Sequence, residues 1–148
     1  MKKYFFCSLS LVLLIFCISC KKYSSSAPAS TTSNNPTGNI TSGTWSITSF
    51  TQKTEDKTST FAGINFVFSS DGKLIASGTN AANGTWVFTE ASTGYYGNAK
   101  ETFSINLGIN APFNKLSKTW NIAEQNSTTL RLDNPQALED EHVSFSKK

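Results

Sequence analysis

Residues 42–50 read SGTWSITSF, and here apolar and polar side chains first begin to alternate along the chain. Trp45 and Ile47 have the same parity, whereas the residues between and beside them are Ser and Thr. This period of two predicts a β-strand with one buried face and one solvent-facing face. The triplet Gly-Thr-Trp recurs at 84–86. Thr suits the pleated surface and is expected to face outward beside an inward indole, while Gly43 lets the backbone bend where the strand begins.

The alternation continues to the end of the chain, interrupted by short segments rich in Gly, Asn, Asp and Ser. Two of these, Asp71-Gly72 and Asn83-Gly84, are typical of tight hairpin turns, which need positive φ angles. No segment shows a sustained helical period. We therefore predict eight strands, near residues 44–51, 62–69, 72–78, 84–90, 101–107, 117–123, 128–133 and 141–147.

These strands lie in the 106 residues from 43 to 148, enough for one modest core and too few for two domains. One apolar face per strand fits an antiparallel sheet around a single core. An open eight-stranded sheet would leave two unpaired edges, so we predict closure into an all-β, single antiparallel up-and-down β-barrel. A two-layer β-sandwich is the alternative.

The N-terminus has the pattern of an export signal. Lys2 and Lys3 precede an almost unbroken apolar run, residues 4–18, which ends at the small residue Ser19. A spanning helix usually needs about twenty apolar residues, so we predict a signal peptide over residues 1–19. A true membrane anchor is the alternative.

Ile18-Ser19-Cys20 resembles the end of a bacterial lipobox, although Cys17 occupies the position that is usually Leu. The resemblance implies cleavage before Cys20 and its acylation, for example with palmitate, giving a lipoprotein in the cell envelope. We expect the outer membrane as its site, with the domain in the periplasm or on the cell surface. Several acyl chains hold a protein firmly, whereas one gives only marginal binding.

Residues 20–42 then consist almost entirely of small and polar residues after Cys20 and two lysines. Such a segment buries too little surface to offset its ordering entropy, so we predict a disordered tether with a span of roughly 25 Å. Without Lys2 and Lys3 the chain has eleven basic and ten acidic residues. This near-neutral balance argues against nucleic acid as a partner.

Several short motifs resemble the lipocalin-like domains of Bacteroidetes-type lipoproteins. They are GTWSITSF (43–50), FVFSSDGKL (66–74), GTWVF (84–88), W-x-I (120–122), TTLRL (128–132) and VSFSKK (143–148). The resemblance covers residues 43–148 and implies a lipocalin-like barrel. True lipocalins also pack an Arg on a Trp, and Arg131 either does so at a barrel end or faces solvent.

An eight-stranded barrel is just wide enough to hold one small ligand. We therefore predict binding of a small hydrophobic ligand by the large inward rings, and the same rings would form the core of a filled barrel. These candidate lining or core residues are Trp45, Phe66, Phe68, Trp86, Phe103 and Trp120.

A filled barrel would act instead as an interaction or structural lipoprotein. Its candidate recognition surface is the Gly-bounded segment STGYYGNAK, residues 92–100, where Tyr95 and Tyr96 suit adaptable contact with an envelope protein or glycan.

Groups that could carry catalysis are sparse, so we predict no enzyme, metal or cofactor. No thiol remains after Cys20 is acylated, and His142 is the single histidine. Glu139–His142 (EDEH) could hold a metal, but adjacent strand residues point to opposite faces, so at most two converge. We interpret EDEH as a solvated charge run.

Overall fold

The computed structural model describes residues 36–94 and 97–148, which fold into one closed antiparallel barrel with few helices. The strands are β1 (Trp45–Gln52), β2 (Glu55–Asp56), β3 (Ile64–Phe68), β4 (Lys73–Gly78), β5 (Ala82–Thr89), β6 (Ser92–Gly94), β7 (Gly97–Ala99), β8 (Thr102–Asn106), β9 (Thr119–Gln125), β10 (Thr129–Asp133) and β11 (Glu141–Lys147). Helix α1 spans Pro36–Thr41, and single 3-10 turns form at Thr58–Phe61 and Phe113–Lys115.

Eight of these strands form the barrel wall in the order β1-β3-β4-β5-β8-β9-β10-β11. Each pairs with the next, and β11 returns to pair with β1 from Gln52–Glu141 to Trp45–Lys147. Closure gives nearly every strand two partners and removes the exposed sheet edge. The prediction of an all-β up-and-down barrel is thus confirmed over the sandwich alternative. The β6–β7 hairpin is a separate two-stranded ribbon between β5 and β8.

The eight wall strands lie within a few residues of their predicted positions, but one turn prediction is wrong. Asn83-Gly84 lies inside β5, and Gly84 pairs with Leu74 of β4. A Cβ on Gly84 would lie 1.9 Å from the Asn106 carbonyl oxygen, so only glycine allows β5 to approach β8 this closely. In contrast, Gly43 has a φ of +85°, consistent with the bend expected before β1.

A β-bulge in β1 lets both odd-numbered and even-numbered residues of this strand face the core. Ile47 pairs with Phe145 and Ser49 with Ser144, so Thr48 is the extra residue. Bulges bend a strand and shift its facing residues. As a result Phe50 is as fully buried as Trp45, although the two differ in parity.

Helix α1 lies within the segment predicted to be a tether. Its Ile40 is fully buried, and the Trp45 indole N–H donates to the Ile40 carbonyl over 2.9 Å. The described domain therefore begins by Pro36, because one apolar side chain and a backbone acceptor suffice to dock this short helix. None of the residues described here belongs to a helix long and apolar enough to cross a membrane.

The strand pairing defines two ends of the barrel. The α1 end carries α1, the β3–β4 turn (69–72), the β6–β7 hairpin and the β9–β10 turn (126–128). The loop end carries the longer connections, residues 53–63, 79–81, 107–118 and 134–140.

Candidate functional site

The six residues predicted to line a ligand cavity or form a core come together inside the barrel. Each is at most 5% exposed, and they come from β1, β3, β5, β8 and β9. All three indoles face inward, while the preceding Thr85 and Thr119 are exposed and Thr44 is half-buried. Alternation of side chains across the strand is the physical reason for this separation.

The interior rings contact one another directly. Phe68 is central, with ring centroids 5.8 Å from Trp86, 5.6 Å from Phe103 and 5.9 Å from Phe145, all in edge-to-face geometry. Trp86 also stacks on Phe103 at 5.3 Å, and Phe66 meets Phe145 at 5.4 Å. These separations are those of packed aromatic pairs.

Each indole N–H donates to a backbone carbonyl, so no tryptophan leaves its donor unpaired in the core. Trp45 bonds Ile40 as described, Trp86 bonds the Ser69 carbonyl over 3.0 Å, and Trp120 bonds the Leu116 carbonyl over 3.0 Å. A buried indole donor without a partner would cost about 1–3 kcal/mol. The tryptophans thus tie α1, the β3–β4 turn and the second 3-10 turn to the wall.

Both ends of the barrel are closed by buried apolar side chains. Ile40 of α1 covers one end, whereas Phe61, Phe113 and Leu116 from the two 3-10 turns pack at the loop end. Phe61 meets Phe50 edge to face at 5.1 Å. The packed rings are therefore covered from both directions.

A lysine lies over an indole at each end. Lys147 Nζ is 5.0 Å from the Trp45 ring and Lys118 Nζ is 5.3 Å from the Trp120 ring, both within cation–π range. The sequence left two alternatives for Arg131, a contact with a tryptophan ring or exposure to solvent. Arg131 is exposed, and its guanidinium group pairs with Glu124 at 3.4 Å. The solvent-facing alternative is the one observed.

The loop end holds a buried carboxylate, Glu141, which is 5% exposed. It accepts hydrogen bonds from Gln52 Nε2 and Lys118 Nζ, and from Asn134 Nδ2 over 2.7 Å. Lys115 Nζ in turn donates to Gln52 Oε1 over 3.0 Å. Burial raises the pKa of the Glu141 carboxyl, but the bonds from Lys118, Gln52 and Asn134 outweigh it, so its pKa lies below the usual value.

The EDEH segment divides between two faces, as alternation requires. Glu139 and Glu141 converge on Lys118 and Asn134, whereas His142 points outward. The expectation that at most two of the four converge is therefore met. The interpretation as a solvated charge run is wrong for Glu141. Its parity matches that of the inward Val143 and Phe145, and this signal could have identified it.

On the outer face, His142 bridges two carboxylates. Its Nδ1 is 2.7 Å from Asp133 Oδ1 and its Nε2 is 3.1 Å from Asp140 Oδ1. The hydrogen bond to Asp133 raises the pKa of His142, burial opposes this, and the bond to Asp140 adds to the rise. Within the described ranges, no three His, Cys, Asp or Glu side chains are grouped so as to hold a metal ion.

Two surface clefts flank the β10–β11 loop, residues 134–140. One of about 520 Å³ is bordered by Gln52–Glu55 from β1–β2 and by Leu138, Glu139 and Glu141. The other, about 340 Å³, lies between Lys118–Thr119 and residues 134–136 with Glu139. Leu138 is 93% exposed beside these polar walls. The loop end thus combines fixed hydrogen-bonding groups with an accessible apolar side chain.

Two sequence predictions fall outside the described residues. Cys20, with the proposed signal and most of the tether, precedes Pro36, and Tyr95 with Tyr96 lies between β6 and β7. The flanking Ser92, Thr93 and Gly97 are exposed.

No known family model matches this chain, and no curated protein matches it in sequence. Among solved structures, a DUF4847 family protein from Bacteroides vulgatus is similar at a TM-score of 0.49 and 18% identity. The match covers 74% of this chain and 94% of the other. The barrel assignment here rests on the strand pairing described above.

Proposed function

We propose that this protein is a lipid-anchored bacterial envelope protein whose lipocalin-like barrel is filled and presents its loops to other envelope components. One observation carries the proposal: the rings predicted to line a ligand cavity pack against one another. Phe68 alone contacts Trp86, Phe103 and Phe145. The alternative of a barrel that binds a small hydrophobic ligand remains a prediction from the sequence.

The packing makes internal ligand binding energetically demanding. A ligand in the barrel would have to displace at least one of these rings and open one covered end. Losing a buried Phe from its site costs about 3–5 kcal/mol by analogy with large-to-small substitutions. A filled barrel instead gives a rigid body, on which loops can hold a fixed geometry for recognition.

The membrane part of the proposal comes from the sequence. The signal over residues 1–19 and the lipobox-like Ile18-Ser19-Cys20 support acylation of Cys20. The polar residues after it support a flexible leash between lipid and barrel. An outer-membrane location, with the barrel in the periplasm or outside the cell, fits these features.

Recognition by loops is supported most at the loop end, where the two clefts and exposed Leu138 lie. A protein or glycan partner suits these surfaces, because both combine hydrogen-bonding groups with limited apolar area. Tyr95 and Tyr96 remain candidates for a second contact surface. A binding role is favoured over catalysis because the carboxylates of Glu139 and Glu141 are paired with Lys118 rather than free to react with a substrate.

Tryptophan fluorescence titration tests the filled barrel. The chain from Cys20 onward, with Cys20→Ser, is titrated with fatty acids, haem and a hydrophobic dye, beside the variant Phe68→Ala. We expect no saturable change for the parent chain with any of these ligands, and saturable binding of benzene by Phe68→Ala, because a dry apolar cavity left by one ring binds an apolar ligand of that size. Stoichiometric, saturable binding of any of these ligands by the parent would overturn the proposal.

Site-specific photocrosslinking tests the loop surfaces in cells that make the acylated protein. A photoreactive residue at Leu138 should give a discrete crosslinked product, whereas one at Val87 on the barrel wall should not. Equal products from both positions would contradict recognition by the loop end.

A further inference from the structure

The barrel receives its tether at one end only. Lys147 Nζ donates to the Asn39 carbonyl over 3.0 Å and to Ser42 Oγ over 2.9 Å, and Ile40 is buried. These contacts fix α1 against the rim of the barrel, so the chain that precedes Pro36 leaves from the α1 end.

The remaining tether is short relative to the barrel. Fifteen residues separate Cys20 from Pro36, and the disordered tether proposed from the sequence would have a root-mean-square span of about 20–23 Å over that length. The eight-residue strand β1 is itself about 26 Å long. A lipid on Cys20 would therefore favour the α1 end over the loop end as the end nearer the bilayer.

The charges of the described residues also differ between the α1 end and the loop end. Four lysines and Arg131 face four carboxylates at the α1 end: Lys73, Lys100, Lys147 and Lys148 against Asp71, Glu90, Glu101 and Glu124, the last of which pairs with Arg131. Four lysines face six carboxylates at the loop end: Lys53, Lys57, Lys115 and Lys118 against Glu55, Asp56, Asp133, Glu139, Asp140 and Glu141. The α1 end is thus net positive, and the loop end is net negative when His142 is neutral. Lys21 and Lys22 add positive charge next to the lipidation site.

We propose that the α1 end lies on the anionic surface of the membrane and that the loop end, with its two clefts, faces away from it. The inference rests on the proposed lipid anchor and adds an orientation to it. Lys100 and Lys148 are exposed for contact with anionic headgroups, while Lys147 is half-buried and holds α1 in place. Basic residues near such a surface attract it within about a Debye length.

The orientation defines which loops can meet a partner in the aqueous space. The β10–β11 loop, with Leu138 at 93% exposure, lies at the end remote from the lipid. The β3–β4 and β9–β10 turns face the headgroups instead.

Two single-cysteine variants of the full acylated chain test this orientation in vesicles that contain anionic lipid. Ser127→Cys places a label on the β9–β10 turn and Ala137→Cys places one on the β10–β11 loop, and both positions are exposed. No other free thiol remains in the processed, acylated chain. We expect a headgroup-attached quencher to quench the label at residue 127 strongly and the label at residue 137 little. Equal quenching, or the reverse order, would overturn the proposal.

Charge reversal separates the lysine contact from tethering alone. Lys100→Glu should reduce the quenching at residue 127 by at least half on anionic vesicles, and added salt should reduce the parent's quenching similarly. Lys53→Glu, an exposed lysine at the loop end, is the matched control and should change nothing. Identical quenching in the two variants would contradict the headgroup contact.

Vesicle flotation distinguishes failure of the anchor from failure of the orientation. The acylated parent chain should float with vesicles, and the chain from residue 20 onward with Cys20→Ser, which has neither signal nor lipid, should float at least tenfold less. A parent that does not float overturns the anchor and the orientation together. A parent that floats but is quenched equally at both labels overturns the orientation alone.

Discussion

Replacing Lys118 with Met should expose how much the fold depends on the buried Glu141 charge. The substitution keeps an apolar stem but leaves the carboxylate with only the two amide donors, Gln52 and Asn134. Removing one partner of a buried ion pair costs about 3–5 kcal/mol. Lys118 keeps 27% of its side chain exposed and two amide hydrogen bonds to Glu141 survive, so we expect a loss at or just below the bottom of this range, about 2–3 kcal/mol at pH 7.

The pH dependence of this loss identifies its cause. In the parent, the pKa of Glu141 is lowered on folding, so its contribution is present above the unfolded value of 4.5 and is lost as pH falls through the folded pKa. Without Lys118, burial opposes ionisation with less compensation and the folded pKa rises. Lys118→Met therefore loses most stability at neutral pH. The difference in the free energy of unfolding between the parent and this variant should become smaller towards pH 4.

Urea denaturation followed by tryptophan fluorescence at pH 7 and pH 4 measures both effects. Lys57→Met is the matched control, because Lys57 pairs with exposed Glu55 and its loss should change both the stability and its pH dependence much less than the loss of Lys118. Adding Glu141→Leu to Lys118→Met should recover stability at pH 7, since no buried charge then remains. A difference that is constant with pH, or no larger than that of the control, would refute the reasoning.

Three further predictions concern the core, α1 and the outer face. Phe68→Ala should lower the free energy of unfolding by about 3–5 kcal/mol and Val87→Ala by under about 0.5 kcal/mol; equal losses in urea denaturation would contradict a packed interior. Ile40→Ala should cost about 2–4 kcal/mol, and a cost near zero in the same assay would show that α1 is not part of the core. His142 stabilises the folded state below its unfolded pKa near 6.5, and this stabilisation is lost as pH rises through the raised folded pKa. At this exposed site the contribution should be under about 1 kcal/mol. NMR titration should find that Asp133→Asn lowers the His142 pKa, and an unchanged value would exclude Asp133 as the cause.

The barrel could be predicted from the sequence because its strands carry a strong period-two signal. Trp45, Phe66 and Phe103 each occur in an alternating run, and one buried face per strand leaves little choice of side-chain orientation. Closure followed from the cost of unpaired edges. The bulge at Thr48 carries no such signal, because it adds one residue without changing the composition of β1.

The ends of the barrel were harder to predict because short elements docked by single side chains have little local signature. Helix α1 is six residues long and contains Gly38, so tertiary contacts in the assembled fold account for it: the burial of Ile40 and the hydrogen bonds from Trp45 and Lys147. The 3-10 turns at 58–61 and 113–115 are likewise held by buried Phe and Leu side chains from outside the alternating runs. The burial of Glu141 was missed because its neighbours in the sequence are charged, although its spacing of two residues from Val143 predicts an inward side chain.

Xenon binding gives the most direct test of a filled interior, because xenon enters dry apolar cavities without specific chemistry. In crystals of the domain under xenon pressure, we predict no xenon among Phe68, Trp86 and Phe103 in the parent chain. The same site should appear in Phe68→Ala, which serves as the positive control. Ordered xenon among these rings in the parent would contradict a packed barrel and restore the ligand-binding interior.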